Sequence, residues 1–167
     1  MMMSEIEQRL LSEMLQWYRL QRHDYLNHWQ VIMGYLQIGR PEQALKYMRD
    51  TVAGSQEEQK IGHLAEPSLA AILLGLQIRL SQSGITVTID FPEEMKQKEF
   101  WQDHWQEEYV KRLYGYTIEC LEAVTRFPMS NDLLAEVYLF IEPGGLACQV
   151  ILSDEETVLY DEMVTIN

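Results

Sequence analysis

The chain opens with forty residues that contain no proline, Met1 to Arg40, and apolar residues recur through them at helical spacing. That feature limits the fold more than any other. A continuous helix from about Ser4 to Ile38 would be roughly 50 Å long at 1.5 Å per residue. Gly39 fits its C-terminal cap, Pro41 fits the first turn of a second helix, and Glu42 suits that helix's positive end. The second helix carries an apolar stripe at Ala44, Leu45, Met48 and Val52. The polar run Ser55-Gln56-Glu57-Glu58-Gln59-Lys60 leaves its far end open. Two antiparallel helices cannot enclose a core, and a hairpin with one long wet apolar face calls for a second copy. The expected product is a four-helix bundle across a homodimer.

His23 sits midway along the first helix, in Arg22-His23-Asp24-Tyr25-Leu26-Asn27-His28. At about 100° per residue, Gln16, Arg19, Asn27, Gln30, Gly34 and Gln37 fall within roughly 40° of it. Met14, Tyr18, Tyr25, Trp29, Ile32 and Leu36 fall on the far side. The imidazole therefore projects from a solvated stripe, with an acid beside it and an amide one turn on. Asp24 and His28, four apart, read as an ordinary helix-surface pair. They turn about 100–140° away from His23, so the three do not read as a metal site, and no Cys or His spacing supplies further ligands. The tryptophans Trp17, Trp29, Trp101 and Trp105 read as packing residues, and His63 and His104 show no partner in the sequence.

From Glu66 the pattern changes. Pro67-Ser68 opens a helix with Leu69, Ile72, Leu73, Leu76 and Leu80 on one face, closed by Gly84. Ile85 to Ile89 alternates as a half-buried strand. Lys96 to Glu108 reads as a loop and the start of a helix, and Tyr109 to Phe127 as a helix bounded by Pro128. Leu134 to Ile141 and Leu146 to Leu152 read as a β-hairpin turning at Pro143-Gly144-Gly145, with Thr157 to Ile166 as a last strand. The fold class is α+β. A helical hairpin over residues 1–64 serves dimerisation and chemistry, and a small α/β sandwich occupies residues 65–167.

Charge narrows the function. Up to Leu80 there are 8 basic and 9 acidic residues; beyond it there are 5 and 17. Such a chain repels nucleic acid and anionic lipid, and the near-neutral N-terminal part is the better surface for meeting an acidic protein. No stretch is long and apolar enough to span a membrane, and Met1-Met2-Met3-Ser4-Glu5 does not look like a secretion signal. Cys120 and Cys148 form no spacing motif and read as inert thiols, consistent with a reducing cytoplasm.

Around His23 the chain resembles the sporulation-initiation phosphotransferase B family and the related citrate/fumarate-type sensor kinases. The resemblance is carried by Arg22, His23, Asp24, Tyr25 and Asn27, extended by Gln30, Ile32, Gly34 and Leu36. It implies a phosphoryl-accepting His23 on a dimeric four-helix bundle. The second half is similar in outline to a histidine-kinase ATPase domain, through Leu69 to Gly75 and Gly84 to Val87. The kinase's nucleotide chemistry is missing. Tyr116 and Cys120 stand where that family's helix carries Mg²⁺-binding asparagines, and neither suits a hard cation. The closing glycine loops are also absent, and Pro143-Gly144-Gly145 is explained as a turn.

The resemblance therefore implies a cytoplasmic, ATP-independent phosphorelay phosphotransferase in sporulation initiation, which moves a phosphoryl group between response-regulator aspartates. In that reading His23 is the nucleophile, Asp24 orients the ring, Arg22 offsets phosphoryl charge, and Asn27 faces the regulator. Gln16, Arg19, Leu20, Leu26, Gln30 and Gly34 would form the docking face. The chain itself binds no cofactor, and Mg²⁺ comes with the partner receiver domain. Two rivals stand beside it: a sensor kinase lacking its input domain, and a non-catalytic dimeric adaptor for a regulator.

Overall fold

The computed structural model describes residues 4–127, 132–155 and 157–167. The first helix, α1, runs Glu5–Gln37 as one unbroken element. Ser4 caps it reciprocally: Ser4 Oγ accepts from the Glu7 amide, and the Glu7 carboxylate accepts from the Ser4 amide at 2.6 Å. Gly39 takes φ +72°, the left-handed geometry that ends a helix without a Cβ clash. Helix α2 starts at Pro41 and ends at Gly54. Ser55 interrupts the run, and Gln56–Gly62 forms a short α3 that buries Ile61. The polar segment whose end was open in the sequence is therefore helical as well.

Helix α4 spans Pro67–Gln82 and buries Leu69, Ile72, Leu73, Leu76 and Leu80. Strand β1 is Thr86–Asp90, shifted by one residue from the span expected, with Val87 and Ile89 inward. The segment read as a loop and the start of a helix holds a helix of its own, α5, at Lys98–His104, preceded by a 3-10 turn at Glu93–Lys96. The Trp101 indole fixes it by donating to the Met95 carbonyl at 2.8 Å. Helix α6 is Tyr109–Val124; its expected boundary at Pro128 lies outside the described residues. Strands β2 (Leu133–Glu142), β3 (Gly145–Asp154) and β4 (Thr157–Ile166) complete the chain.

The sheet has the order β1-β2-β3-β4, with β1 parallel to β2 and the other pairs antiparallel. A parallel pair cannot be joined by a tight turn, and the 3-10 turn, α5 and α6 supply the crossover. At the β2–β3 turn Gly145 has φ +132°, and a Cβ there would stand 2.2 Å from the Ile166 carbonyl oxygen, so only glycine fits. Helices α4 and α6 pack together and against the inward sides of the strands, including Val137, Leu139, Val150 and Leu152. The edge strand β1 is closed by α3, where the Glu57 carboxylate accepts from the Ile89 amide at 2.8 Å.

A single core runs from Leu10 of α1 through Ile61 and Leu64 to Ile166, so residues on both sides of position 64 share it. Helix α1 packs on α2 with one part of its length and on α4 and α6 with another. At Glu13 a polar knot ties these elements: Arg79 of α4 pairs with the Glu13 carboxylate, and the Tyr114 hydroxyl of α6 donates to the same oxygen at 3.0 Å. No helix is long and apolar enough to cross a membrane.

Candidate functional site

The far side of α1, expected as one buried face, divides in two. Leu10, Met14, His28, Ile32 and Tyr35 are buried or half-buried within the chain. Tyr18, Tyr25, Trp29 and Leu36 are exposed by 52–61%, together with Leu11, Leu15, Leu26 and Met33. On the wheel the covered group centres near +140° from His23 and the exposed apolar group near −120°, so the two stripes are about 100° apart. Helix α2 repeats this arrangement: Ala44, Tyr47, Met48 and Thr51 are buried or half-buried, while Leu45 and Val52 are exposed by 48% and 61%.

His23 lies on the remaining face, with 71% of its side chain in solvent. Its Nδ1 is 3.6 Å from an oxygen of Asp24 and 3.3 Å from the carboxamide nitrogen of Asn27. A carboxamide rotated by 180° offers its oxygen at the same place. In that orientation the oxygen accepts from Nδ1–H, which leaves the lone pair on Nε2, while the Asp24 carboxylate at 3.6 Å acts through its charge. No described residue is hydrogen-bonded to Nε2. The geometry thus gives Asn27 a role on the ring itself, beyond facing outward as the sequence suggested. Arg22 sits about 100° away, within the exposed apolar stripe, and among the described residues it has no ion-pair partner.

Gln16, Arg19, Leu20, Leu26 and Gln30 are all exposed around His23, and Gly34 is half-buried. A Cβ added at Gly34 would meet nothing within 4 Å, so the fold does not require glycine there. The expected pairing of Asp24 with His28 is not formed. His28 faces α2 instead, where the Tyr47 hydroxyl is 2.6 Å from its Nδ1 and the rings lie 5.6 Å apart, because the +140° direction points into the hairpin. His104 likewise has partners that the sequence did not reveal: its Nδ1–H donates to the Phe100 carbonyl at 2.6 Å, and the two rings stack. Among the described residues no three His, Cys, Asp or Glu side chains are grouped to hold a metal ion.

Tyr116 and Cys120 face the sheet and are consumed by it. The Tyr116 hydroxyl accepts from the Val150 amide at 3.1 Å and donates to the Glu162 carbonyl at 2.6 Å. Val150 and Glu162 are register partners, so the phenol bridges a facing pair of β3 and β4. Cys120 Sγ lies 3.7 Å from the Tyr160 hydroxyl. Burial is the main reason that the Tyr116 phenol and both thiols, Cys120 and Cys148, are held above their ordinary ranges. A sequence scan for ligand types could not have found this bridge, because it depends on strand register.

Glu58 of α3 completes the surroundings. It lines a groove with Asp24, and its carboxyl is raised above the usual range, first by burial and second by the charge of Asp24. Residues 3–64 match the family described as sensor kinase SpoOB-type, alpha-helical domain. No curated protein matches the chain. The helical segment that carries His23 is thus similar to the alpha-helical domain of the SpoOB-type sensor-kinase family, which relates it to two-component and sporulation proteins.

Proposed function

We propose that the protein is a phosphorelay phosphotransferase that carries a phosphoryl group between response-regulator aspartates on His23. The carrying observation is the ring itself: it is solvent-facing at mid-helix, with Asp24 and Asn27 beside Nδ1 and no described residue bonded to Nε2. A neutral imidazole in that tautomer attacks in line. The Nε2–P bond forms as the P–O bond to the regulator's aspartate breaks, and the carboxylate leaves with the electron pair. Asp24 then stabilises the positive ring that results. The reverse step on a second regulator needs no ATP, since both phosphorylated species are high in energy. Mg²⁺ belongs to the receiver's acidic site.

Gly34 supports docking on this face. A glycine inside a helix costs about 1 kcal/mol relative to alanine, and nothing in the fold needs it. Its absent side chain leaves room for a partner, bordered by Gln30 and by the apolar Leu20 and Leu26. The two stripes set about 100° apart on each helix support a homodimer, since that is the geometry of a helix touching two neighbours in a four-helix bundle. Helix α1 would meet α2 of its own chain along one stripe and the second copy along the other, with His23 turned outward.

The test is incubation with a phosphorylated receiver domain. The expected label is acid-labile and base-stable, as a phosphoramidate is. It should be lost in His23→Gln and kept in His28→Gln, whose ring is engaged with Tyr47. Label retained without His23 overturns the assignment. Autophosphorylation from Mg²⁺-ATP would favour the kinase reading instead.

A further inference from the structure

Leu20 belongs to two surfaces at once. It flanks His23 at about 60° on the wheel, and it also lines a groove of about 450 Å³ beneath α1. Asp24, the neighbour of His23, continues the same wall. Asp50 and Glu58 bound the groove from the α2 and α3 side, and Ser81 and Gln82 of α4 form the opposite wall. We propose that this groove is the second half of the regulator-docking surface and receives a cationic side chain carried on a loop of the regulator. The inference rests on the phosphotransfer reading and adds the C-terminal unit to recognition.

Continuity supports it first. A receiver that brings an aspartate to His23 Nε2 covers Leu20 and Asp24, and from there the surface runs without a break into the groove. The second support is charge. Three acids line the groove and no lysine or arginine does; His28 in its wall and His23 beside Asp24 are the nearest basic side chains. Glu58 registers that charge, since its carboxyl is disfavoured as an anion by burial and by Asp24.

The chemistry of the occupant follows from spacing. The acids are not grouped to hold a metal ion, whereas a long, flexible ammonium or guanidinium side chain can answer acids spread along a groove. A second copy would sit along the stripe of Tyr18, Trp29 and Leu36, with Tyr25 shared between that stripe and the groove wall.

Transfer from a phosphorylated receiver domain to the full-length chain, followed as a function of receiver concentration, tests the proposal. Asp50→Asn with Glu58→Gln should raise KM about fivefold, the loss of two surface-strength ion pairs, while the saturating rate stays within about twofold. Raised salt should weaken wild-type docking more than that of the double variant. Ser81→Arg, on the exposed wall of α4, should also raise KM. Asp161→Asn on β4, away from the groove, should change nothing. Circular dichroism of each variant confirms its fold. KM within about twofold of wild type in both the double variant and Ser81→Arg, with His23 labelled, overturns the inference. So does a fall in the saturating rate alone, which would mean that these acids act on the ring. A wild-type chain that takes no label overturns the phosphotransfer reading, and this inference with it.

Discussion

Trp29→Ala should separate the proposed dimer while leaving the protomer folded. The ring is 61% exposed within one chain, so most of its surface awaits a partner. A tryptophan side chain buries up to about 250 Å², which leaves roughly 150 Å² wet. At about 25 cal/mol per Å², covering that area is worth up to about 4 kcal/mol per protomer. Association returns part of this to ordering and to imperfect pairing. If half survives, two rings per dimer still give about 4 kcal/mol, or a dissociation constant raised on the order of a thousandfold. The chain's own core loses little, because Trp29 is not among the residues that build it. Sedimentation equilibrium over a wide concentration range reads the constant, and far-ultraviolet circular dichroism checks the helices. A dissociation constant within tenfold of wild type would refute the assignment of this stripe, and a wild-type monomer at micromolar concentration would refute the bundle itself.

Two further perturbations follow from the sheet and the groove. Tyr116→Phe removes the hydroxyl between Val150 and Glu162 and leaves an amide and a carbonyl without partners, at about 1–3 kcal/mol each. Urea unfolding should show a loss of at least about 2 kcal/mol, and a loss below 1 kcal/mol would mean that the strands close up and pair directly. The raised Glu58 carboxyl holds its proton more tightly in the folded than in the unfolded state. Its favourable contribution is therefore complete below the ordinary 4.5 and is lost as pH rises through the folded value. Glu58→Gln should melt above wild type at neutral pH, with the gap closing below pH 4.5. A gap that is constant with pH would remove Glu58 from this account.

Local signals in the sequence carried the elements that depend on them. The proline-free run, Ser4, Gly39 and Pro41 mark the ends of α1 and the start of α2 because capping is decided within a few residues. His23 was legible for the same reason: its solvated stripe follows from helical periodicity alone. The long-range pairings were not legible. Glu13 meets Arg79 and Tyr114 across three helices, and nothing near Glu13 distinguishes it from a solvated acid. His28 looked like the partner of Asp24 because i to i+4 geometry is visible in a sequence, whereas the hairpin crossing that brings Tyr47 to it is not. The far side of α1 read as one stripe because a wheel shows polarity but not which neighbour covers each part. α5 was obscured by its polar residues; it is held by Trp101 through a bond to Met95 that no periodicity encodes.

The knot at Glu13 makes α1 a lever with a fixed end. Ten residues separate it from His23, about 15 Å along the helix axis. A tilt of about 5° at the knot would carry the imidazole by roughly 1.3 Å, and in-line transfer is sensitive to displacements of about 1 Å. A delivering domain that must swing toward a histidine needs slack between the two. Here the sheet unit grips the helix through an ion pair and a phenol, so whatever shifts α4 or α6 re-aims Nε2, and under the proposed phosphotransfer it is the regulator that comes to the ring.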